Sequence, residues 1–211
     1  MPPLANYLIG QPGIPLPPIT ANLYEYVLAG NGVFIRGARR EFTVQFCIAP
    51  CDVRGLARLE TQIEIRIPRV PAEQLRSMLH LAQHAQDSHG QPVEIIFHLL
   101  LDDGVNWRVV IPKQVQLPAS AKPMDDSVGS SYAQALIEVH SHADMAAWFS
   151  TFDDYDETGC RVYAVLGRIF DRPEIRVRVG LHGYRCEIPT SLIFEMPPEM
   201  CDCVAAEEGQ P

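Results

Sequence analysis

The stretch EVHSHADMAAWFSTFDD, residues 138–154, gathers side chains that can do chemistry: His140 and His142 one residue apart, then Ser150 and Asp153. Alternate side chains of a β-strand share a face, so histidines at i and i+2 present both imidazoles to one point. A carboxylate carried back across the strand end by the next segment completes a three-ligand set. Two imidazoles, one carboxylate and a position left for water are the donor set of a catalytic zinc site, whereas closed structural sites rely on cysteine. Zinc in such a site brings the pKa of a water toward neutrality and polarises a carbonyl, which is the chemistry of amide hydrolysis. Two alternatives stay open at this level. Glu138 lies on the same strand face and competes with Asp153 as third ligand, and the cluster could be only the polar end of a strand.

These residues need a strand ending near His142 and a turn of chain that returns Asp153. AQALIEVHSH supplies the strand, and Ala146, Ala147, Phe149 and Phe152 predict a short helix through ADMAAWFSTFDD. Upstream, Pro71 opens the clearest helix, 72–86, with Leu75, Met78, Leu79 and Ala82 on one face. PVEIIFHLLL and VNWRVVIPKQVQL read as strands around the hairpin signal Asp102-Asp103-Gly104, and LPASAKPMDDSVGSS reads as a loop. CRVYAVLGRIF and EIRVRVGLHGYRCEI read as further strands. Residues 1–22 hold six prolines and suggest an extended, loosely packed arm, followed by strands in YEYVLA, GVFIRG, FTVQFCIA and TQIEIRIPR. The expected class is therefore α+β: a Pro-rich arm and small β-rich region over 1–70, a main domain over 71–196, and a frayed acidic tail over 197–211.

A chain of 211 residues with 47% hydrophobic content can bury a core without staples. No apolar run approaches the roughly 18 to 20 residues of a membrane span, and the first residues lack the pattern of a signal peptide, so a cytoplasmic protein with no membrane partner is expected. The net charge of −9 and the absence of a Lys/Arg cluster argue against nucleic acid. Two lysines against 15 arginines suggest a GC-rich bacterial genome. The six cysteines read as free thiols, because Cys47 and Cys51 with Cys201 and Cys203 have the wrong spacing for a zinc ribbon. His80 and His84 read as a solvated helix face, His98 and His182 as strand histidines, and Trp107 and Trp148 as core.

His140-Ser141-His142, seven residues, Ser150, two residues and Asp153 resemble, position by position, the JAMM motif of the JAB1/MPN/Mov34 metalloproteases. The resemblance covers residues 71 to about 190. It implies an MPN/JAB-like (cytidine-deaminase-like) mixed β-sheet flanked by helices. It also implies a zinc isopeptidase or peptidase that cuts at the C-terminus of a ubiquitin-like protein, in deconjugation or maturation, with homodimers common in the fold. By that resemblance His140, His142 and Asp153 hold Zn2+ and Ser150 donates to the oxyanion. Glu94, in Pro92-Val93-Glu94 and 46 positions before His140, is the general base. Ser141 shapes the strand end. Ala143 stands where the family usually has proline and Phe97 where it often has glycine, which bears on substrate fit. A narrower resemblance, through LAGNGVFIRGARREF, is to the PRTRC system protein A family of bacteria, which implies a β-grasp substrate and E1-like and E2-like partners. The alternative is a non-catalytic scaffold of the same fold, and a more distant one is hydrolysis of another small amide.

Overall fold

The computed structural model describes residues 2–204. The chain divides into two compact units, one up to Ile67 and one from Pro68. Both are mainly β-sheet, with few helices, so the class is mixed α+β. No helix among the described residues is long and apolar enough to cross a membrane.

The first unit is one five-stranded sheet in chain order: β1 (Ala5–Ile9), β2 (Tyr24–Ala29), β3 (Gly32–Ala38), β4 (Phe42–Ala49) and β5 (Gln62–Ile65). The segment expected to be a loose arm instead begins as β1, which pairs parallel to β2 from Ala5–Tyr24 to Ile9–Leu28. Proline bars a helix there but leaves the five Pro-free residues 5–9 able to join an edge. The remainder of the arm is pinned from the sheet. Glu25 accepts hydrogen bonds from Thr20 N, Thr20 Oγ1 and Ala21 N, while Arg36 Nη2 donates to Pro17 O at 2.8 Å. Arg36 Nε lies 2.9 Å from Glu25 Oε2 in a pair with both residues buried.

The second unit opens with α1 (Ala72–Gln83), whose apolar stripe Leu75, Met78, Leu79 and Ala82 is buried as the periodicity requires. Gln74 Nε2 reaches Trp107 O and Gln83 Nε2 reaches Ile169 O, fixing both ends. The main sheet contains β6 (Ile96–Asp102), β7 (Asn106–Val110), β10 (Ile137–Ser141), β11 (Arg161–Gly167), β12 (Glu174–Leu181) and β13 (Tyr184–Ile188), in the order β13-β12-β11-β10-β6-β7. The end of the segment VNWRVVIPKQVQL forms β8 (Gln114–Leu117), whereas its hairpin partner β9 (Ser120–Pro123) and the start of the short helix α2 (Ser131–Gln134) occupy the stretch that composition marks as loop. Ser130 caps α2 by accepting from Ala133 N, which holds the start of β10 back to Ile137. In the expected tail, β14 (Cys201–Asp202) pairs parallel to β12, while residues 205–211 lie outside the described part.

The two faces of this sheet differ in kind. Glu138 on β10 is paired with His98 on β6 and with Tyr163 on β11, and Tyr163 with Arg178 on β12. Paired residues project to the same side. One face thus carries His98, Glu138, His140, Arg161, Tyr163, Arg176 and Arg178. The other carries Phe97, Leu99, Ile137, Val139, Val162, Ala164, Val177 and Val179, each at most 1% exposed. At about 1.5 to 3 kcal/mol for each large buried side chain, the apolar face anchors the sheet and lets the opposite face hold ionisable groups.

Candidate metal centre

His140 and His142 sit at and just beyond the C-terminal end of β10, on the polar face. The intervening Ser141 is fully buried, and its Oγ accepts from Ile95 N while its own N–H donates to Ile95 O, both at 3.1 Å. That clasp continues the antiparallel register one step past the His140–Ile96 pair and sets His142 opposite Glu94. His142 Nε2 and Glu94 Oε1 are 3.8 Å apart, both side chains about 5% exposed. The β8 strand fixes the Glu94 backbone: Glu94 N donates to Leu117 O and Gln116 Nε2 donates to Glu94 O.

Asp153 arrives differently from the sequence expectation. The helix expected through residues 143–154 is absent from most of that span; α3 covers only Thr151–Asp156, with Ser150 as its N-cap. The capping box explains the start. Ser150 N donates to Asp153 Oδ2 at 2.6 Å, Ser150 Oγ donates to the same oxygen at 2.7 Å, and Asp153 N donates back to Ser150 Oγ at 3.2 Å. Oδ2 is thereby occupied, and Oδ1 lies 3.4 Å from His140 Nε2. Residues 143–150 are held open by side chains from the sheet, since Ala147 N donates to Glu174 Oε1 and Arg176 Nε donates to Ala147 O. Gly167 permits the approach, because a Cβ there would lie 2.1 Å from Ala147 N.

His140, His142 and Asp153 each offer a ligand atom within 4.8 Å of the others, and no other group of three such side chains converges among the described residues. The donors fit a zinc ion. Two ligands at tetrahedral zinc stand roughly 3.3 to 3.5 Å apart, close to the 3.4 Å between His140 Nε2 and Asp153 Oδ1. His140 Nε2 is buried without a hydrogen-bond partner, which an ion would relieve. His142 Nδ1 lies 3.1 Å from Ala146 O. A carbonyl can only accept, so Nδ1 carries the proton and the Nε2 lone pair is free for a metal.

The charges are tuned in the same sense. Burial pulls the His140 imidazole down to about 4, with the attraction of Asp153 opposing and the charge of His142 assisting, so the ring stays neutral and able to ligate. Burial alone would raise Asp153, but His140 and the Ser150 hydrogen bonds outweigh it and hold the carboxyl below its usual value. Burial, then the charge of Asp153, pushes Glu94 up to about 8, a value suited to moving protons near neutrality. A cavity of about 420 Å³ opens over these groups, walled by Ser120 to Pro123 of the β8–β9 hairpin, Met145, Trp148 and Phe152.

Glu138, the rival third ligand, is turned to other partners. Its Oε2 lies 3.4 Å from His98 Nε2 and 3.6 Å from Arg161 Nη1, and it is no part of the three-ligand group. His80 and His84 are exposed and stacked at 4.3 Å, the six cysteines are free thiols, and His182 occupies the β12–β13 turn at φ 49°. Trp107 is buried, but Trp148, expected in the core, is 49% exposed and set edge-on to His142 at 6.1 Å. Phe97 points to the apolar face, away from His140, His142 and Asp153, as alternation with Ile96 and His98 demands. The Ser150 hydroxyl proton is directed at Asp153, so donation to a substrate oxygen requires it to rotate. Sequence reading passed over Arg176, Arg178 and Glu174, which support the site from β12; the alternation in EIRVRV was the available signal, since arginine at every second position of a buried strand marks a polar face. No protein-family model matches the chain, and no curated protein matches it in sequence.

Proposed function

We propose that the chain is a zinc-dependent peptidase of the JAMM type, with an MPN-like second unit, that hydrolyses the amide bond at the C-terminus of a bacterial ubiquitin-like protein. The observation that carries this reading is the meeting of His140, His142 and Asp153 within 4.8 Å beside a buried glutamate that is not a ligand. His140 Nε2, His142 Nε2 and Asp153 Oδ1 would hold the ion. Bound zinc supplies an acidified water and a polarised substrate carbonyl.

The chain's own groups account for the proton movements. Glu94 Oε1 takes a proton from the attacking water and returns it to the departing amine nitrogen, a double duty that its place 3.8 Å from His142 Nε2 at the cavity wall allows. The Ser150 hydroxyl turns from Asp153 to the developing oxyanion. Asp153 stays in place meanwhile, because the Ser150 N–H keeps its 2.6 Å bond to Oδ2. The aromatic and hairpin walls shield the reacting carbonyl from bulk water. E1-like and E2-like proteins are the partners this activity implies.

The test is metal content by plasma mass spectrometry on wild type and His142→Ala, followed by cleavage assays on ubiquitin-like fusions. One zinc per wild-type chain, lost in the variant, together with cleavage that disappears in Glu94→Gln at unchanged zinc content, supports the proposal. Cleavage that survives Glu94→Gln overturns the assigned base. A wild type that takes up no zinc even on reconstitution overturns the peptidase and leaves a partner-binding scaffold.

A further inference from the structure

Asp153 is carried by a helix that cannot place itself. Six residues fall far below the length at which a helix is stable in water, and α3 buries none of its side chains fully. The capping box orders its first turn but attaches it to nothing else. The attachment comes from β12. Arg178, 5% exposed, donates from Nε to Glu157 Oε2 at 2.6 Å and from Nη1 to Asp154 Oδ1 at 2.7 Å. One of these acids lies within the helix directly after Asp153, and the other is its C-cap. The guanidinium also lies over the Phe149 ring at 3.7 Å, and Phe149 meets the His140 ring edge-on at 6.5 Å. Arg185 adds a contact from β13 to the Asp154 carbonyl.

On the metal-site reading above, we infer that Arg178 is a positioning residue for the zinc ligands: one planar fork and one stacking face fix where α3 sits and how the His140 ring is backed. The chemistry favours arginine for this task. A lysine ammonium reaches one acid as a point charge and cannot span two carboxylates while lying flat on a ring. The fork also explains why a buried Glu157 is present. Burial pushes its pKa up and Arg178 opposes that shift, so the two form a mutually dependent pair. Removing the arginine releases the helix, and Asp153 Oδ1 no longer has a fixed distance from His140 Nε2.

The experiment uses the full chain, with Arg178→Met combined with Glu157→Gln so that no buried carboxylate is stranded, and Arg178→Lys beside it. Zinc affinity is measured by competition with a chromophoric chelator, coordination by the visible absorption of the cobalt(II)-loaded protein, and folding by circular dichroism without metal. The expected result is a folded double variant whose zinc dissociation constant rises about 10- to 100-fold, with a cobalt spectrum changed from wild type. Arg178→Lys is expected to be weakened as well, by a smaller factor. A role confined to stability would lower the melting temperature while leaving the affinity and the cobalt spectrum of the folded protein unchanged, and that result overturns the inference. If the double variant does not fold, Arg178→Lys decides by the same two readouts. Zinc uptake by wild type with equal affinity in the variants refutes the clamp alone, whereas no uptake by wild type refutes the metal reading and the clamp together.

Discussion

Glu25 in the first unit and Glu94 in the second are both buried glutamates, 1% and 4% exposed, and their surroundings treat them in opposite ways. Glu25 is surrounded by donors: two from Thr20, one from Ala21 and two from Arg36. Burial alone would raise its pKa, but those hydrogen bonds and the charge of Arg36 prevail and lower it. Glu94 has His142 Nε2 at 3.8 Å and no carboxylate hydrogen bond among the described residues, so burial prevails and its carboxyl rises to about 8. A saturated carboxylate holds a fold in place, whereas one left short of donors keeps an appetite for protons. Both are closed to solvent, but Glu94 lies deeper among other atoms and beside the charge of Asp153, so depth, donors and neighbouring charge together set the two roles.

The largest effect that can break this comparison is on turnover. Glu94→Gln should lower amide hydrolysis by about 10²- to 10⁴-fold at unchanged zinc content, while Glu25→Gln, assayed where it remains folded, should hydrolyse as wild type does. Equal losses in both variants would mean that the two glutamates do not divide their labour this way. Stability should show the reverse. Glu25→Gln strands a buried Arg36 and should cost about 3 kcal/mol in the urea unfolding of the first unit; an unmoved midpoint would show that the pair is dispensable.

A third variant sharpens the contrast from the backbone side. Gly167→Ala places a methyl 2.5 Å from the Ala146 carbonyl carbon and should shift the acceptor that holds His142 Nδ1, weakening zinc about 10-fold at about 1 to 3 kcal/mol of stability. Chelator competition on the purified variant reads this directly, and wild-type affinity would show that the turn moves without consequence. The smallest effect is on acid stability. Because the folded pKa of Glu25 lies below its unfolded value of about 4.5, its contribution is fully present above that value and fades as the pH falls through the folded pKa. The stability gap between wild type and Glu25→Gln should therefore narrow in acid, which urea titrations at several pH values can check.

Much of this was legible beforehand. Apolar runs between turn signals located β6, β7, β10, β11, β12 and β13, because one face of their sheet is thoroughly buried, but β14 lay in the stretch read as a frayed tail. The spacing from His140 to Asp153 marked the three groups that the fold brings together. Glu94 entered by resemblance, although its position opposite His142 follows from antiparallel pairing. The helix expected over 143–154 failed for a tertiary reason: its alanines favour helix, but Glu174 and Arg176 capture the Ala147 backbone, and Ser150 begins a new helix with its own cap. The Ser150-Thr151-Phe152-Asp153 run was a readable capping box. β8 fell in a stretch read as strand, but its partner β9 lay hidden in Pro- and Ser-rich sequence, where composition speaks for loop. Arg178 acquires its meaning from groups more than twenty residues away in the chain, Asp154 of α3, its C-cap Glu157 and the Phe149 ring.

The pairing of β6 with β10 has a consequence for how this site can change over time. Glu94 faces His142 because each strand is counted from the same Ile96–His140 rung, so the pairing of these two groups is stored as a register. Residues 124–129, between β9 and α2, can lengthen, shorten or be exchanged without disturbing that count, whereas β7 and β8 are tied to β6 and to the Glu94 backbone. A single residue inserted between Glu94 and Ile96 would instead turn Glu94 toward the core. The chain therefore separates what it can revise from what it must copy faithfully, and the dividing line is the end of a strand.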